Sequence, residues 1–359
     1  MSIWSPRLLT SVAAVSALLL TSAAPAAYAA PRYSATAIGL SPGPLHNADA
    51  YALNDVGQVT GYGNNGSTNV GFVWQHGQLT TLGLLPGALT SAGAGINNAG
   101  VIAGASGRDA VVWQNDGQMQ TLPRIAGASY AHAEAINDNG QVAGASDAHA
   151  VMWQDGQLFV LPSLSSESSS IALGINASGS IAGISYSGGY RPRALVWQDG
   201  QMQHLSSGPY SYAGALDISD NNTVAGYVDK GGNIDQAARW DDGQLTLLDD
   251  LPGTFGARAY GVNIGGLVVG ASYMSGSSMA TLWEGTQALP LQSLLIDASG
   301  WDLWRAVDIN AAGQIIGSGT FNGEAVSFLL TPVPEASTTA CMLMGLLALA
   351  ATARRKARR

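Results

Sequence analysis

The sequence predicts an all-β protein, and more specifically a β-propeller of seven four-stranded blades. One short pattern occurs seven times along the chain, and no helical period is sustained between residues 31 and 332. The copies open on Asn54, Asn97, Asn137, Asn176, Ser219, Asn263 and Asn310, at spacings of 43, 40, 39, 43, 44 and 47 residues. Repeats of this length are typical of single propeller blades.

The first 29 residues are predicted to be a secretory signal peptide. Arg7 precedes an apolar stretch at residues 12–20, and the small-residue site Ala27-Tyr28-Ala29 follows. This order of a basic, an apolar and a small-residue segment is typical of cleaved export signals. Cleavage after Ala29 would leave a mature chain that begins at Ala30, so residues 1–29 are excluded from the predicted fold.

Each repeat predicts two β-hairpins. In the third copy an apolar stretch ends at Ile136-Asn137, Gly140 follows, and an alternating segment begins at Gln141. Further along, Trp153 precedes an Asp155-Gly156 pair, which favours a tight hairpin turn. Two hairpins give four antiparallel strands in each repeat, and the 46 glycines of the chain suit a protein with many tight turns.

The seventh repeat lacks its fourth strand, and the N-terminus supplies a matching segment. The copy that opens on Asn310 ends after its third strand, at Leu330. Residues 35–43 resemble residues 79–87, which are the fourth strand of the first copy and its exit. Pairing the N-terminal strand with the last blade closes a ring and hides open sheet edges. Residues 30–332 are therefore predicted to form a closed propeller rather than an open solenoid.

Residues 333–359 predict a sorting or anchoring tail. The segment begins with Val333, Pro334, Glu335, Ala336 and Ser337, continues as an apolar run at 338–353, and ends in a cluster of basic residues. A helix of 16 residues spans about 24 Å, which is short of a ~30 Å hydrocarbon core. The basic end is expected on the cytoplasmic side. From these features alone, an ordinary C-terminal anchor remains an alternative to a sorting signal.

The order of motif, short apolar helix and basic cluster resembles the PEP-CTERM sorting tail of Gram-negative bacteria. Family members usually carry Pro after the Glu, where this chain has Ala336. The resemblance implies export by the secretion machinery, transient anchoring in the inner membrane through the C-terminal helix, and processing by an exosortase, a membrane protease. It also implies a final location at the cell surface or outside the cell, with frequent association with exopolysaccharide production.

The repeat itself resembles that of the extracellular HAF repeat family. The shared pattern is Ala-x-x-Ile-Asn-x-x-Gly-x-x-x-Gly followed by Ala-x-x-Trp-x-x-Gly, and it spans nearly the whole mature chain. The namesake His-Ala-Phe is absent, the nearest segment being His149-Ala150-Val151, and the fifth copy has Ile218-Ser219 in place of Ile-Asn. The resemblance implies an exported repeat protein and brings no established reaction.

The charge of the mature domain argues against a nucleic-acid partner. Residues 30–332 hold 9 basic and 23 acidic side chains, a net charge of 9 − 23 = −14, and Lys230 is their single lysine. Such a surface repels phosphate backbones. The sole cysteine, Cys341, lies in the predicted tail, so packing rather than disulfide bonds is expected to hold the domain together.

The residues common to the repeats are predicted to be structural. An aromatic residue occupies the same strand position in every copy: Trp74, Trp113, Trp153, Trp197, Trp240, Trp283 and Phe328. A ring at a fixed strand position most often packs between sheets, although a sugar-stacking ring is an alternative. The Asn that opens each repeat favours the local hydrogen bonds of a turn.

The sequence shows no recognised catalytic or metal-binding motif, so we predict neither an enzyme nor a cofactor. Calcium is an alternative because residues 217–222 and Asp138-Asn139-Gly140 bring oxygen ligands together, but the spacing of a calcium-binding EF-hand loop is absent. The five histidines include no His-x-x-x-His pair, which makes zinc improbable.

Loop lengths point to one rim of the propeller as the candidate binding face. The connection between the second and third strands varies from copy to copy, and the crossing before the seventh copy is the longest. Together these loops carry aromatic residues and arginines, which suit carbohydrate or protein recognition. The candidate site residues are Tyr130, Tyr186, Tyr190, Arg191, Arg193, Tyr210, Tyr212, Tyr273, Trp301 and Trp304.

These observations lead to one functional hypothesis and two alternatives. The hypothesis is an exported, non-enzymatic repeat protein that binds or organises exopolysaccharide or a surface protein. The first alternative is a polysaccharide-modifying hydrolase or lyase on the same scaffold, which clustered carboxylates with strongly shifted pKa values would favour. The second is a self-assembling matrix component.

Overall fold

The computed structural model describes residues 32–40, 43–164, 167–187, 191–232 and 234–334. The predicted signal peptide, the tail from Glu335 onward and Tyr190 lie outside the described residues. Within the described part of the chain, no helix is both long and apolar enough to cross a membrane. The strand β28, which ends at Val333, includes the first residue of the predicted sorting motif.

Seven four-stranded antiparallel sheets account for the described chain, as the repeats predict. Blade 1 contains β2 (His46–Leu53), β3 (Val59–Asn64), β4 (Asn69–Gln75) and β5 (Gln78–Thr81). Blade 2 contains β6 (Ser91–Ile96), β7 (Ile102–Ser106), β8 (Asp109–Trp113) and β9 (Met119–Thr121). Blade 3 contains β10 (Ala131–Ile136), β11 (Val142–Ser146), β12 (His149–Gln154) and β13 (Gln157–Val160).

The next three blades repeat this arrangement. Blade 4 contains β14 (Glu167–Ile175), β15 (Ile181–Ser187), β16 (Pro192–Gln198) and β17 (Gln201–His204). Blade 5 contains β18 (Ala213–Ile218), β19 (Val224–Asp229), β20 (Asp235–Asp241) and β21 (Gln244–Leu247). Blade 6 contains β22 (Gly256–Val262), β23 (Val268–Met274), β24 (Ser277–Glu284) and β25 (Gln287–Pro290).

Blade 7 is assembled from both ends of the domain. It contains β26 (Trp301–Ile309), β27 (Ile315–Phe321), β28 (Glu324–Val333) and the N-terminal strand β1 (Arg32–Ile38). In the antiparallel pair of β1 and β28, Arg32 lies opposite Val333 and Ile38 opposite Ser327. The predicted closure of the ring by the N-terminal strand is therefore confirmed.

The first strand of each blade is the innermost one. Each of these strands contacts the first strands of the two neighbouring blades, and together they surround a central channel. The hairpins that join strands one to two and three to four lie on one side, which we call the turn face. The loops between strands two and three and the crossings between blades lie on the other side, which we call the loop face.

Every first strand carries a β-bulge at the third residue before the repeat Asn. The bulged residues are Tyr51, Ala94, Glu134, Leu173, Leu216, Tyr260 and Val307. A bulge leaves one residue out of the ladder and re-aims its side chain. The same position is bulged in all seven blades. The residue type at this position therefore determines which side chain lines the channel in each blade.

A glycine in each second strand permits this geometry. A Cβ at Gly144 would collide with the carbonyl oxygen of His132 on the first strand, and one at Gly270 would collide with that of Arg258. The same clash occurs at the equivalent glycine of each of the other blades. The last Gly of the repeat pattern is therefore a requirement of close strand approach rather than of a turn.

The repeated aromatic residues are structural wedges. Trp153, Trp197, Trp240 and Trp283 are at most 2% exposed. Their indole N–H groups donate to main-chain carbonyls of the preceding blade, as in the bond from Trp153 Nε1 to the Pro123 oxygen at 2.7 Å. Burial and a satisfied N–H together make each of these rings a packing element between blades.

The long crossing before blade 7 packs against the closing strand. It begins with a short 3₁₀ turn (Leu291–Leu294), of which Leu291 and Leu294 are buried. The Arg32 guanidinium donates to the Leu295 carbonyl at 2.8 Å, and the Ile296 N–H donates to the Tyr33 carbonyl at 2.9 Å. The extra length of this crossing thus covers β1, which would otherwise be an open edge.

Candidate functional site at the loop face

The channel is lined by the fifth and third residues before each repeat Asn. These positions alternate with buried alanines such as Ala50, Ala133 and Ala259. Because the blade faces pack against their neighbours, solvent reaches the first strands from the central channel. On the wall formed by blades 6, 7 and 1, the lining is polar: Asp49, Tyr51, Arg258, Tyr260 and Arg305.

A cavity of about 520 Å³ opens on the loop face between blades 6, 7 and 1. We call it the mouth pocket. Its aromatic and charged lining residues are Tyr62, Tyr260, Tyr273, Trp304, Asp49 and Arg305. Its floor is made of small and apolar residues, including Ala271, Gly319 and Val326. Concave sites with an apolar floor and a few polar groups are typical of small-molecule and sugar binding.

Hydrogen bonds fix the polar groups of the mouth pocket. The hydroxyl groups of Tyr260 and Tyr273 lie 2.8 Å apart and are hydrogen-bonded. The Ser318 hydroxyl donates to Asp49 Oδ1 at 2.7 Å, and the Arg305 guanidinium lies 3.5 Å from the same oxygen. Burial raises the pKa of Tyr273, so this phenol stays protonated and can donate a hydrogen bond at neutral pH.

A second cluster of polar side chains extends around the channel from blade 6 to blade 5. Arg258 is ion-paired with Asp235 and lies over the ring of Tyr227, with its guanidinium carbon 4.3 Å from the ring centroid. The Tyr212 hydroxyl donates to Asp235 at 3.5 Å. Burial, followed by the charge of Asp235, raises the pKa of Tyr212 to about 12. The mouth pocket is therefore flanked by a tyrosine-rich wall in which each arginine has a carboxylate partner.

Four of the predicted site residues meet along this wall. Tyr273 and Trp304 line the mouth pocket, and Trp304 is 36% exposed with its indole N–H donating to Asp302 at 3.0 Å. Tyr212 lies beside Asp235, and the charge of Arg258 acts on the pKa of Tyr186, which burial raises.

The structure places the other described candidates elsewhere. Trp301 packs on Phe321, with ring centroids 4.8 Å apart, and Tyr210 packs against the core of blade 5. Arg191 is exposed ahead of β16 and Arg193 is half-buried within it. Tyr130 is exposed at the end of the crossing that leads into β10 of blade 3.

Tyr130 belongs to a separate cluster that includes a His–Glu pair. Its ring stacks on His132 at a centroid distance of 6.0 Å, and His132 Nε2 lies 3.2 Å from Glu134 Oε1. Burial raises the pKa of Glu134 to about 7, and burial lowers the pKa of His132. The equivalent positions of the neighbouring first strands are small or apolar, as in Ala94 and Leu173, which explains the low polarity around the pair.

Sequence reasoning missed most of the polar channel residues. Asp49, Tyr62, Arg258, Tyr260 and Arg305 lie within strands rather than in variable loops. A signal was nevertheless present, because the fifth and third residues before the repeat Asn vary while the alanine between them is nearly constant. Comparing the repeats position by position would have identified these residues except Tyr62, which lies on the second strand of blade 1.

The turn face carries a second central opening, lined by the repeat Asn residues. Five of these side chains donate from Nδ2 to the carbonyl of the next repeat's opening residue, as Asn137 does to Asn176 at 2.9 Å. The bond from Asn310 to the Asn54 carbonyl, at 3.0 Å, closes the ring across the chain ends. The predicted turn role of Asn is also present, since Asn137 Oδ1 accepts from the Gln141 N–H at 3.0 Å.

Two partly buried carboxylates lie just inside this opening. Asp217 accepts from the N–H groups of Ile218 and Val262 at 2.8 and 2.9 Å, and Asp308 accepts from those of Leu53 and Ile309 at 2.8 and 2.7 Å. Within the described residues, no group of three His, Cys, Asp or Glu side chains has the arrangement of a metal site. The bonds from Val262 to Asp217 and from Leu53 to Asp308 each join two neighbouring blades.

The comparisons with known proteins identify the fold alone. No family model matches the chain, and no curated protein matches its sequence. Virginiamycin B lyase of Staphylococcus aureus is 13% identical with a TM-score of 0.52, over 84% of this chain and 100% of that chain. A puromycin-hydrolysing peptidase of Mycobacterium tuberculosis is 10% identical with a TM-score of 0.54, over 84% of this chain and 55% of that chain.

A third solved structure makes a topological contrast. The β-propeller domain of the Trilobed protease from Pyrococcus furiosus has an open velcro topology, and it is 11% identical with a TM-score of 0.51, over 80% of this chain and 97% of that chain. In the present chain the ring is closed by β1. At these identities the similarity shows a seven-bladed propeller and carries no activity over to this protein.

Proposed function

We propose that this protein is a non-enzymatic glycan-binding propeller whose mouth pocket holds sugar units of an extracellular polysaccharide. The supporting observation is the mouth pocket itself, in which Tyr62, Tyr260, Tyr273 and Trp304 surround a cavity of about 520 Å³. Aromatic rings present flat apolar faces to sugar rings, while their polar edges hydrogen-bond to hydroxyl groups. The Arg305–Asp49 pair supplies a donor and an acceptor beside them.

Affinity electrophoresis tests this proposal. Residues 30–334, which include the whole closed ring, are run through gels that contain the producing organism's exopolysaccharide or, as an unrelated control polymer, polygalacturonate. The exopolysaccharide is expected to retard the protein, and Trp304→Ala and Tyr273→Ala are each expected to reduce the retardation. Trp301→Ala is the matched control, because Trp301 packs on Phe321 outside the pocket. Unchanged mobility of the wild-type protein would refute the proposal.

A polysaccharide-modifying enzyme is the second candidate, and the His132–Glu134 pair favours it. A carboxyl group with its pKa raised to about 7 can exchange protons near neutral pH, which is what general acid–base catalysis requires. Release of new reducing ends from the exopolysaccharide, abolished by Glu134→Gln, would support this reading. If the exopolysaccharide is not cleaved at any pH from 5 to 8, an enzymatic activity on that polymer is excluded.

We further propose that the protein acts outside the cytoplasm. The signal-like N-terminus and the tail that resembles a PEP-CTERM signal support export, anchoring in the inner membrane and processing by an exosortase, as does the acidic, lysine-poor composition of the mature domain. Cell fractionation with an internal epitope tag is expected to place the protein at the cell surface or in the medium. Full-length protein retained in the cytoplasm would refute this part of the proposal.

A further inference from the structure

Two clefts on the turn face occupy equivalent positions in the repeat architecture. One lies between blades 2 and 3 and has a volume of about 380 Å³. The other lies between blades 4 and 5 and has a volume of about 240 Å³. Both are formed by the ends of the third and fourth strands of one blade and by the second hairpin of the next.

The first cleft combines two amides with a carboxylate. Gln114 and Gln120 project from blade 2, and Trp153 forms part of the lining from blade 3. The Asp155-Gly156 turn of blade 3 completes the cleft. Asp155 has a φ of 51°, the left-handed conformation of a tight hairpin turn.

The second cleft repeats this set residue for residue. Gln198 and Gln203 take the places of the two glutamines, Trp240 that of the tryptophan, and Asp242 and Gly243 those of the turn. A Cβ at Gly243 would lie 2.9 Å from Gln203 Nε2, which shows that the amide reaches across to the turn of the next blade. Asp242 has a φ of 48°, close to that of its counterpart.

Among the polar groups of the clefts, four exposed glutamine amides are available to a ligand. The side-chain amides of Gln114, Gln120, Gln198 and Gln203 form no hydrogen bond with any other described residue. By contrast, Gln141 in the adjacent first hairpin is bonded to Asn137 and Gln154. An amide offers two donors and one acceptor, so each cleft holds unused donors and acceptors next to a carboxylate.

The other blade interfaces lack this combination. Between blades 3 and 4, Phe159 stands at the position of Gln120 and Gln203, in register with Met152 of β12. At the interfaces after blades 1 and 5 this position is held by Thr80 and Thr246. The paired amides therefore occur at the two interfaces where the described clefts lie. Whether an interface has them depends on which residue its repeat carries at this fourth-strand position.

We propose that these two clefts are equivalent binding sites for a single sugar unit of a neutral glycan. The lining residues of both include a carboxylate and no Lys or Arg, which disfavours an anionic ligand. Amides and carboxylates are the groups that hydrogen-bond to sugar hydroxyls, and the clefts are at or below the lower end of the ~300–1,000 Å³ range of drug-sized pockets.

Two sites with the same set of amides, tryptophan and carboxylate on one ring suit a polymer with a repeating unit. Once one unit is bound, the second cleft meets its ligand at a high effective concentration. This inference goes beyond the mouth pocket, which lies on the opposite face and uses different residues, so each site can fail without the other.

Substitutions already found in the repeats provide the test. Gln120→Phe and Gln203→Phe introduce the residue that the interface between blades 3 and 4 carries at this position, so the fold is expected to accept them. The protein is run through gels that contain dextran, galactomannan or xyloglucan, with polygalacturonate as an anionic probe and chitosan as a cationic one. At least one neutral polymer is expected to retard the wild-type protein.

The double variant is expected to bind that polymer about tenfold more weakly, because both sites and their avidity are lost. The double variant is also made in a Trp304→Ala background, where the same loss of retardation is expected because the clefts and the mouth pocket share no residue. The proposal is overturned if no neutral polymer retards the protein, if only polygalacturonate or chitosan does, or if the double variant migrates like the wild type.

Discussion

The Asn that opens each repeat uses both ends of its amide. Its oxygen accepts main-chain N–H groups within the hairpin, as in the bond from Val101 to Asn97 at 2.9 Å, and its nitrogen donates to the next blade, as from Asn54 to Asn97 at 2.9 Å. Asp would lack the donor, and Ser is too short for both tasks. This dual role explains why six of the seven repeats carry Asn.

Asp308 is predicted to make stability depend on pH. Burial, followed by the charge of Asp217, raises its pKa from 3.8 to about 7. Between about pH 4 and pH 7 the folded state therefore binds more protons than the unfolded state, and its free energy of unfolding falls as the pH rises. The stabilisation is complete below pH 3.8 and is lost as the pH passes about 7.

Urea unfolding from pH 4 to pH 8 measures this effect. The wild-type protein is expected to lose stability across the range, and Asp308→Asn is expected to flatten the profile because the variant cannot ionise. Asp199→Asn, in an exposed hairpin turn, is the control and should keep the wild-type slope. Parallel profiles for Asp308→Asn and the wild type would contradict the prediction.

At the scale of the structural element, blade 5 departs from the repeat at its opening residue. Ser219 replaces the Asn, and its hydroxyl bonds within the hairpin, to Asn221 and the Thr223 carbonyl. An inter-blade bond is supplied by Asp217, which accepts from the Val262 N–H of blade 6. Blade 7 has both kinds of link, through Asp308 and Asn310, so blade 5 retains the carboxylate link and lacks only the amide link.

Ser219→Asn is predicted to stabilise the protein. The new amide would donate to the carbonyl of Asn263 and complete the ring of inter-blade bonds, a net gain of about 0.5–1.5 kcal/mol. The measurement is the free energy of unfolding in urea. Ser219→Ala, which removes the hairpin bonds without adding a donor, is expected to shift the stability in the opposite direction. A loss of stability in Ser219→Asn equal to that in Ser219→Ala would show that the ring cannot be completed here.

For the whole molecule, closure of the ring connects the N-terminal strand to the last blade. The strand β1 joins residues near the two ends of the domain, and its Ile38 is fully buried in a core that also includes Leu45 and Phe72 of blade 1. Through β1, blade 7 therefore packs directly against the core of blade 1. Without β1, the edge of β28 would be open to pairing with another chain.

Ile38→Ala is predicted to destabilise the whole ring by about 2–5 kcal/mol, the usual cost of removing a buried aliphatic side chain. The measurement combines urea unfolding with size-exclusion chromatography, in which larger species are expected as β1 detaches. Thr36→Ala, on the exposed side of the same strand, should change stability by about 0.5 kcal/mol or less. Equal effects of the two substitutions would show that β1 adds little to the ring.

The repeat spacing, the hairpin turns and the split seventh copy were enough to predict seven blades and their closure. Those features depend on local backbone preference and on side-chain alternation, and both are determined by residues that are neighbours in the sequence. The wedge role of the tryptophans was predicted on the same basis and is confirmed by their burial. The functional roles of the candidate residues stay predictions.

The sequence by itself determined the architecture, because each blade is a local unit repeated along the chain. Only the tertiary structure decided which polar residues meet, since Asp49 and Arg305 are neighbours across the closure of the ring although they lie far apart in sequence. It also separated Trp301 from Trp304, which are three positions apart, because the bulged strand β26 directs one to Phe321 and the other to the mouth pocket. Side-chain direction at a bulge and contact across the ring are properties of packing, which no single repeat contains.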